Sequence, residues 1–419
     1  MTTHANSATP TSRSDPRARV LLDTDYVSGV ATVFRSDGKY AELRLPPRPD
    51  SPIARSVHLL GFPYLVATTD RGEDVAVELP TLANLAPLRG RPVVYLDQQA
   101  WSKLALAQHQ PEVLPPEELG AALWLIDLVS KWAVVLPYSN GVLTETTHWT
   151  NREKRRRLAL TIATLSRGWQ MLDPLALRSA EMQSVVGVDP NKWPLPTVWT
   201  LEPGAASAAR GDRFDAGEGL PPDLALTANA ASSTIAVFAT ILDNDPVERA
   251  EPDGWANRWA ALADHVRETQ KPAHLTALAV HAAVISDAGQ ELARAAASVG
   301  CAPEVFSTWL NDAARDDLRR LPALGLVREV TYLKVVNSTA KWEPNDLHDI
   351  FYLVHAAGYA DAVVGERGFI TLIEQAQRRL GRPVTAYKTL HLLRASGLLD
   401  GAEGAGPDKG TEPLHDSSR

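Results

Sequence analysis

The chain has 419 residues, 45% hydrophobic and 22% charged; that balance excludes wholesale disorder and suggests about two or three domains. A net charge of −8 with a pI near 5.8 excludes a surface that is basic throughout, so any nucleic-acid site is a local patch. The single cysteine, Cys301, excludes an internal disulfide framework and a Cys-rich zinc site and fits a reducing cytoplasm.

Residues 1–17 are polar and rich in Pro, Ser and Thr, lack an apolar signal core, and are expected to form a disordered tail. Residues 18–90 carry short alternating or β-branched segments (VSGVATVFRS, KYAELRLP, PYLVATTD, DVAVELP) bounded by Gly, Asp and Pro. This is strand-and-turn grammar and predicts a small β-rich module. The stretch TLANLAPLRGRP reads as a connector ended by Pro92.

From residue 91 to 175 the pattern changes. VVYLD is a short buried strand that runs into the helix QQAWSKLALAQ; PPEELGAALWLIDLVSKW is a second helix, AVVLPYS another strand, and 140–169 one or two helices. Residues 176–329 are Ala/Leu-rich with helical spacing and read as a helical insertion. From 330 to 400 the α/β grammar returns: GLVREVTYLKVVNS as a strand or edge, NDLHDIFYLVHAAGYA a helix, DAVVGE a strand, GFITLIEQAQRRLG a helix, RPVTAY a strand and KTLHLLRAS a short helix. Residues 401–419 form a polar tail expected to be disordered. The expected fold class is therefore α/β, a parallel sheet flanked by helices with a β-rich N-terminal module and a helical insertion. The apolar run at 275–285 is too short to cross a bilayer and is interrupted by His281, so no membrane partner is expected.

Several acids sit where open parallel sheets place ligands, just past the C-terminal strand ends. Asp97 ends VVYLD; Glu145 lies on the helix after AVVLP; Asp346 and Asp349 open a helix; Asp361 and Glu366 flank DAVVGE. Carboxylates gathered in one cleft raise one another's pKa and persist together where cations neutralise them. An all-oxygen ligand set favours Mg²⁺ or Mn²⁺, ions that stabilise displacement at a phosphodiester. Each acid also has a plain structural role open to it. Asp97 and Asp346 can be helix N-caps, Glu145 a solvated helix residue, Asp361 a turn acid, and Glu366 the partner of an arginine such as Arg367. Ser139 and Asn140 read as an N-cap, and His148 and Trp149 as packed neighbours of Glu145.

The ordered set VVYLDQQAWSKLA, LPYSNGVLTETTHW and NDLHDIFYLVHAAGYADAVVGERGF resembles a PIN-like nuclease domain over roughly residues 91–175 and 330–390. The resemblance implies a metal-dependent endoribonuclease, toxin-like and cytoplasmic, cutting RNA, most simply single-stranded, with Mg²⁺ or Mn²⁺ as cofactor. Asp97 and Glu145 match the first two metal positions, Asp349 or Asp346 the third, and Glu366 the fourth, with Asp361 its rival. The family more often has Asp at the fourth position, in a Thr-x-Asp context. Arg152, Lys154, Arg155 and Arg156 of NREKRRR, with Arg367, are the expected RNA contacts; the alternative for the run is a solvated helix face. A protein inhibitor or a homodimer is a further possible partner. The alternative function is a catalytically inactive PIN-like scaffold that binds RNA or a protein.

Overall fold

The computed structural model describes residues 19–59, 64–80, 88, 90–186, 194–207, 222–243, 254–270 and 272–404. The expected tail at 1–17, most of the connector TLANLAPLRGRP and the end of the C-terminal tail lie outside the described residues. The chain divides into two compact units between Leu79 and Pro80.

The first unit is one six-stranded antiparallel sheet. Its strands are β1 (Arg19–Asp25), β2 (Val30–Arg35), β3 (Tyr40–Arg44), β4 (Ile53–Leu59), β5 (Tyr64–Thr69) and β6 (Asp74–Glu78), in the order β3-β2-β1-β4-β5-β6. Register places Thr24 beside Ala31 and Ser56, Ser56 beside Ala67, His58 beside Leu65, and Ala67 beside Val75. All of these are buried, so the period-two pattern seen in the sequence marks the face that forms the core.

The second unit holds a small parallel sheet, β11-β10-β7, made of β7 (Val94–Leu96), β10 (Ala362–Val364) and β11 (Ala386–Tyr387). Beyond β7 it continues through 133–138, which bonds to the β7 segment at Val135 and to β8 (Gln170–Met171) at Tyr138, both parallel. Pro137 has no N–H, which interrupts the ladder and leaves this stretch with isolated bridges. β9 (Trp199–Thr200) pairs antiparallel with β8. The chain thus steps from β7 outward to β8, then returns to the other side of β7 with β10 and β11. The order reverses between β7 and β10, the position where open α/β sheets leave a crevice past the strand ends.

Helices cover this sheet: α1 (Gln98–His109), α2 (Pro116–Ser130), α3 (Asn140–Thr147), α4 (Arg152–Ser166) and α5 (Pro174–Val186). The inserted stretch contributes α6 (Pro222–Leu242), α7 (Trp255–Thr269), α8 (Ala273–Asp287), α9 (Gly289–Ser298), α10 (Pro303–Asp312) and α11 (Ala314–Arg320). The strand or edge expected at 325–338 is instead α12 (Pro322–Val336). Its β-branched residues suggest a strand, but Ala323, Leu326, Val327 and Val330 recur at helical spacing and are all buried. Pro322 starts the helix, and buried Glu181 accepts the N–H groups of Ala323 and Leu324 at 2.7 and 2.8 Å. The expected insertion boundary at 329/330 therefore falls inside a helix.

One helix among the described residues is long and apolar enough to cross a membrane by length and composition, Ala225–Leu242 within α6. Its Phe238 is fully buried, with its ring edge toward Tyr138 at 6.5 Å between centroids.

The last stretch runs through α13 (Asn345–Asp349), a π-helical turn (Ile350–Val354), α14 (His355–Ala357), β10, α15 (Arg367–Arg379), β11 and α16 (Leu390–Ala395). The expected polar tail begins with a short 3₁₀ turn at Asp400–Gly404. Just past the π turn, the buried His355 donates its Nδ1–H back to the Ile350 carbonyl at 2.8 Å. Burial and the nearby Arg178 push His355 down to about 3, so it is neutral.

Candidate active site

The site forms at the C-terminal edge of the parallel sheet. Asp97 follows β7 and caps α1, its Oδ1 accepting the Ala100 N–H at 2.8 Å. The backbone N–H of Glu366 also donates to this carboxylate. Burial raises the Asp97 pKa to about 6; Glu366 adds to the rise, and the two N–H groups and Lys103 oppose it. A Cβ at Gly365 would lie 3.0 Å from both Leu353 methyls and 3.2 Å from an Asp97 oxygen. Glycine there lets the end of β10 approach Asp97 closely.

Glu145 is carried by α3, whose N-terminus is capped by Ser139 Oγ accepting from Val142 N at 3.3 Å. The Ser139 hydroxyl also bonds Tyr95 OH at 2.8 Å, tying the helix start to β7. Glu145 Oε1 stands 3.2 Å from His348 Nε2. Asp349 ends α13 just before the π turn, and its carboxyl makes no hydrogen bond or ion pair with another described residue. Burial pushes its carboxyl up to about 8, and Glu145, Glu366, Asp97 and Asp346 push in the same direction. Four acids from four separate chain segments (Asp97, Glu145, Asp349 and Glu366) thus share one electrostatic neighbourhood. Glu366 is exposed, and among the described residues it has no arginine partner.

Two of the expected metal ligands are engaged elsewhere. Asp346 is buried; its Oδ1 pairs with Lys334 at 2.8 Å and its Oδ2 accepts the Glu343 N–H at 2.6 Å. Lys334 also lies near the Trp342 and Phe369 rings, at 5.3 and 5.2 Å. Asp361 lies at the start of β10, the opposite edge of the sheet, where its Oδ2 accepts the Val93 N–H at 2.7 Å. Asp346 is an anchor for the helix start and Asp361 a strand-edge acceptor.

The basic run divides as well. The chain turns after His148, so NREKRRR begins a new helix, α4, capped by Asn151, rather than extending the helix of Glu145. Arg155 is 1% exposed and Arg156 5%. The Arg155 guanidinium donates to the carbonyls of Trp149 (2.6 Å) and Asp243 (3.2 Å). These two arginines are packed inside the unit and are withdrawn as RNA contacts. Arg152 and Lys154 are exposed, as is Arg367 in the first turn of α15.

Several residues enter the site that the sequence did not single out. His348 stacks near Tyr352, with 4.8 Å between centroids, and Tyr352 bonds the Asn140 side chain. Burial and Asp173 raise the Tyr352 pKa. Asp173 caps α5, accepting from Leu175 N at 3.0 Å, and lies at the same sheet edge past β8. The i, i+4 spacing of His348 and Tyr352 on a helix opened by two acids was the available signal.

The oxygen donors suit a hard divalent ion in kind. As the side chains stand, among the described residues no three His, Cys, Asp or Glu form a ready-made metal-binding group. Compared with known proteins, the chain matches no family model, no curated protein and no solved structure.

Proposed function

We propose that the second unit is a PIN-like, metal-dependent endoribonuclease working in the cytoplasm. Asp97, Glu145, Asp349 and Glu366 would hold Mg²⁺ or Mn²⁺. The observation that carries the reading is Asp349: an acid raised to about 8 by burial and four neighbouring carboxylates, with no cationic partner of its own. Acids that burial and one another hold protonated, at the point where strand order reverses, are groups whose proton a divalent cation displaces on binding. A bound divalent ion supplies charge stabilisation to phosphodiester cleavage. The protein's own part is positional. Asp97 is oriented by two backbone N–H groups, Glu145 by His348, and Asp349 by the helix that Asp346 anchors. Arg152, Lys154 and Arg367 are the remaining exposed cations of the expected set and are assigned to the RNA backbone.

The test is cleavage of labelled single-stranded RNA by the purified chain with Mn²⁺ or EDTA, beside Asp97→Asn and with a DNA oligonucleotide of the same sequence. Loss of cleavage with EDTA and in the variant supports the reading. Cleavage indifferent to both ends it. A second reading, an inactive PIN-like scaffold, is favoured by the lack of a preassembled ligand group. Metal-independent RNA binding without cleavage would select it.

A further inference from the structure

We propose that His348 is a positioning residue that holds Glu145 within range of Asp349. The inference rests on the metal-site reading above. Two carboxylates that crowd each other are driven apart, and a glutamate on a helix has three rotatable bonds with which to escape. Glu145 nevertheless heads the neighbours that raise Asp349. One restraint on Glu145 is the 3.2 Å contact from His348 Nε2 to Glu145 Oε1. A carboxylate only accepts, so Nε2 carries the hydrogen and donates; the neutral imidazole suffices.

His348 is itself fixed. Its ring lies 4.8 Å from that of Tyr352, which is bonded to Asn140 at the start of α3. Between these two links α3 presents Gly141, where a Cβ would fall 2.5 Å from the Tyr352 ring and 2.8 Å from His348 Nε2. The two helices therefore touch backbone to ring. Asn140 binds Tyr352 at one end of the contact, Glu145 binds His348 at the other, and Gly141 sets the separation. Asp349 follows His348 directly in the chain, so the residue that grips Glu145 and the residue that Glu145 must face move together. Polar side chains that orient metal ligands in this way change metal affinity by about 10–100-fold when removed.

The experiment is Mn²⁺ titration of the full chain by calorimetry, on wild type, His348→Ala and His348→Gln, with a thermal melt of each. The glutamine amide nitrogen can occupy the place of Nε2 and keep the donor. The expected result is an Mn²⁺ affinity about tenfold or more weaker in His348→Ala and within about threefold of wild type in His348→Gln. In a Glu145→Gln background, His348→Ala should add little, because the residue it acts through is already gone. His348→Ala that binds Mn²⁺ as wild type does, or more tightly, overturns the inference while leaving the metal site standing. So does His348→Gln that melts like wild type but binds as weakly as His348→Ala, since ring packing rather than the donor would then matter. A wild-type chain that takes up no Mn²⁺ removes the metal reading and this inference with it.

Discussion

The two ends of the parallel sheet treat charge in opposite ways. At the N-terminal end Asp361, Arg91 and Arg167 are each engaged with the fold. Asp361 accepts from the backbone of Val93, Arg91 lies over the Trp132 and Trp169 rings at 5.9 and 5.4 Å, and Arg167 over Trp132 at 4.0 Å. At the C-terminal end Asp97 and Asp349 are raised by burial and by other acids, and Lys103, which acts on Asp97, is paired with Glu118 at 2.9 Å. One end is finished as structure; the other is left with charge that the fold alone does not balance. The contrast repeats on a single helix, where Asp346 has its lysine and Asp349, three residues on, has none.

The sharpest way to break this contrast is Asp349→Asn. If the C-terminal end is a metal site, RNA cleavage should fall by about a thousandfold or more, since several kcal/mol of transition-state stabilisation depend on the ion. The melting temperature should hold or rise, because an amide avoids the cost of burying charge. A variant that cleaves normally makes the unbalanced end an accident of packing. On the structural member of the pair, Asp346→Ala should cost about 3–5 kcal/mol in denaturant unfolding, because Lys334 is left buried without its partner. Gly141→Ala should destabilise by about 1–3 kcal/mol through overpacking against Tyr352 and weaken Mn²⁺ binding by separating the two helices.

The pH dependence sharpens the contrast further. Asp349 titrates near 8 in the folded chain, far above its unfolded value of 3.8, so the folded state holds the proton longer. Stability then falls as pH rises from about 4 to about 8 and levels off beyond. Without metal, thermal melts at pH 6 and pH 8 should show wild type losing more than Asp349→Asn over that interval, and Mn²⁺ should narrow the gap. An equal loss in both proteins would place the unbalanced charge elsewhere. The smallest effect is expected from Asp361→Asn. Its amide oxygen can still accept from Val93, so stability should change by less than about 1 kcal/mol with cleavage intact.

The alternation of the first sheet, the continuous apolar runs of β7 and β10, and the strand-end position of Asp97 were legible in the sequence because they depend on local pattern. The expectation that Asp97, Glu145, Asp349 and Glu366 converge rested on their places at strand ends and helix starts, and in the structure the other three act electrostatically on Asp349. What was not legible depends on partners far away in the chain. Nothing near Asp346 announces Lys334, and nothing in NREKRRR reveals that Arg155 ends against the carbonyl of Asp243. The helix α12 was misread because its β-branched residues matched a strand, while the signal that starts it, Glu181, lies 142 residues away from Ala323. His348 was passed over because its role requires knowing that α3 crosses that helix at a glycine.

The pairing of β7 with β10 joins segments 268 residues apart at the Val93–Asp361 bond. Contacts of such long range close late, after the local helices have formed. A nascent chain emerging from the ribosome carries Asp97 and Glu145 long before Asp349 and Glu366 are synthesised. If the proposed site is catalytic, the order of synthesis keeps the unfinished polypeptide from cutting, and a chain truncated before residue 345 should leave RNA uncut.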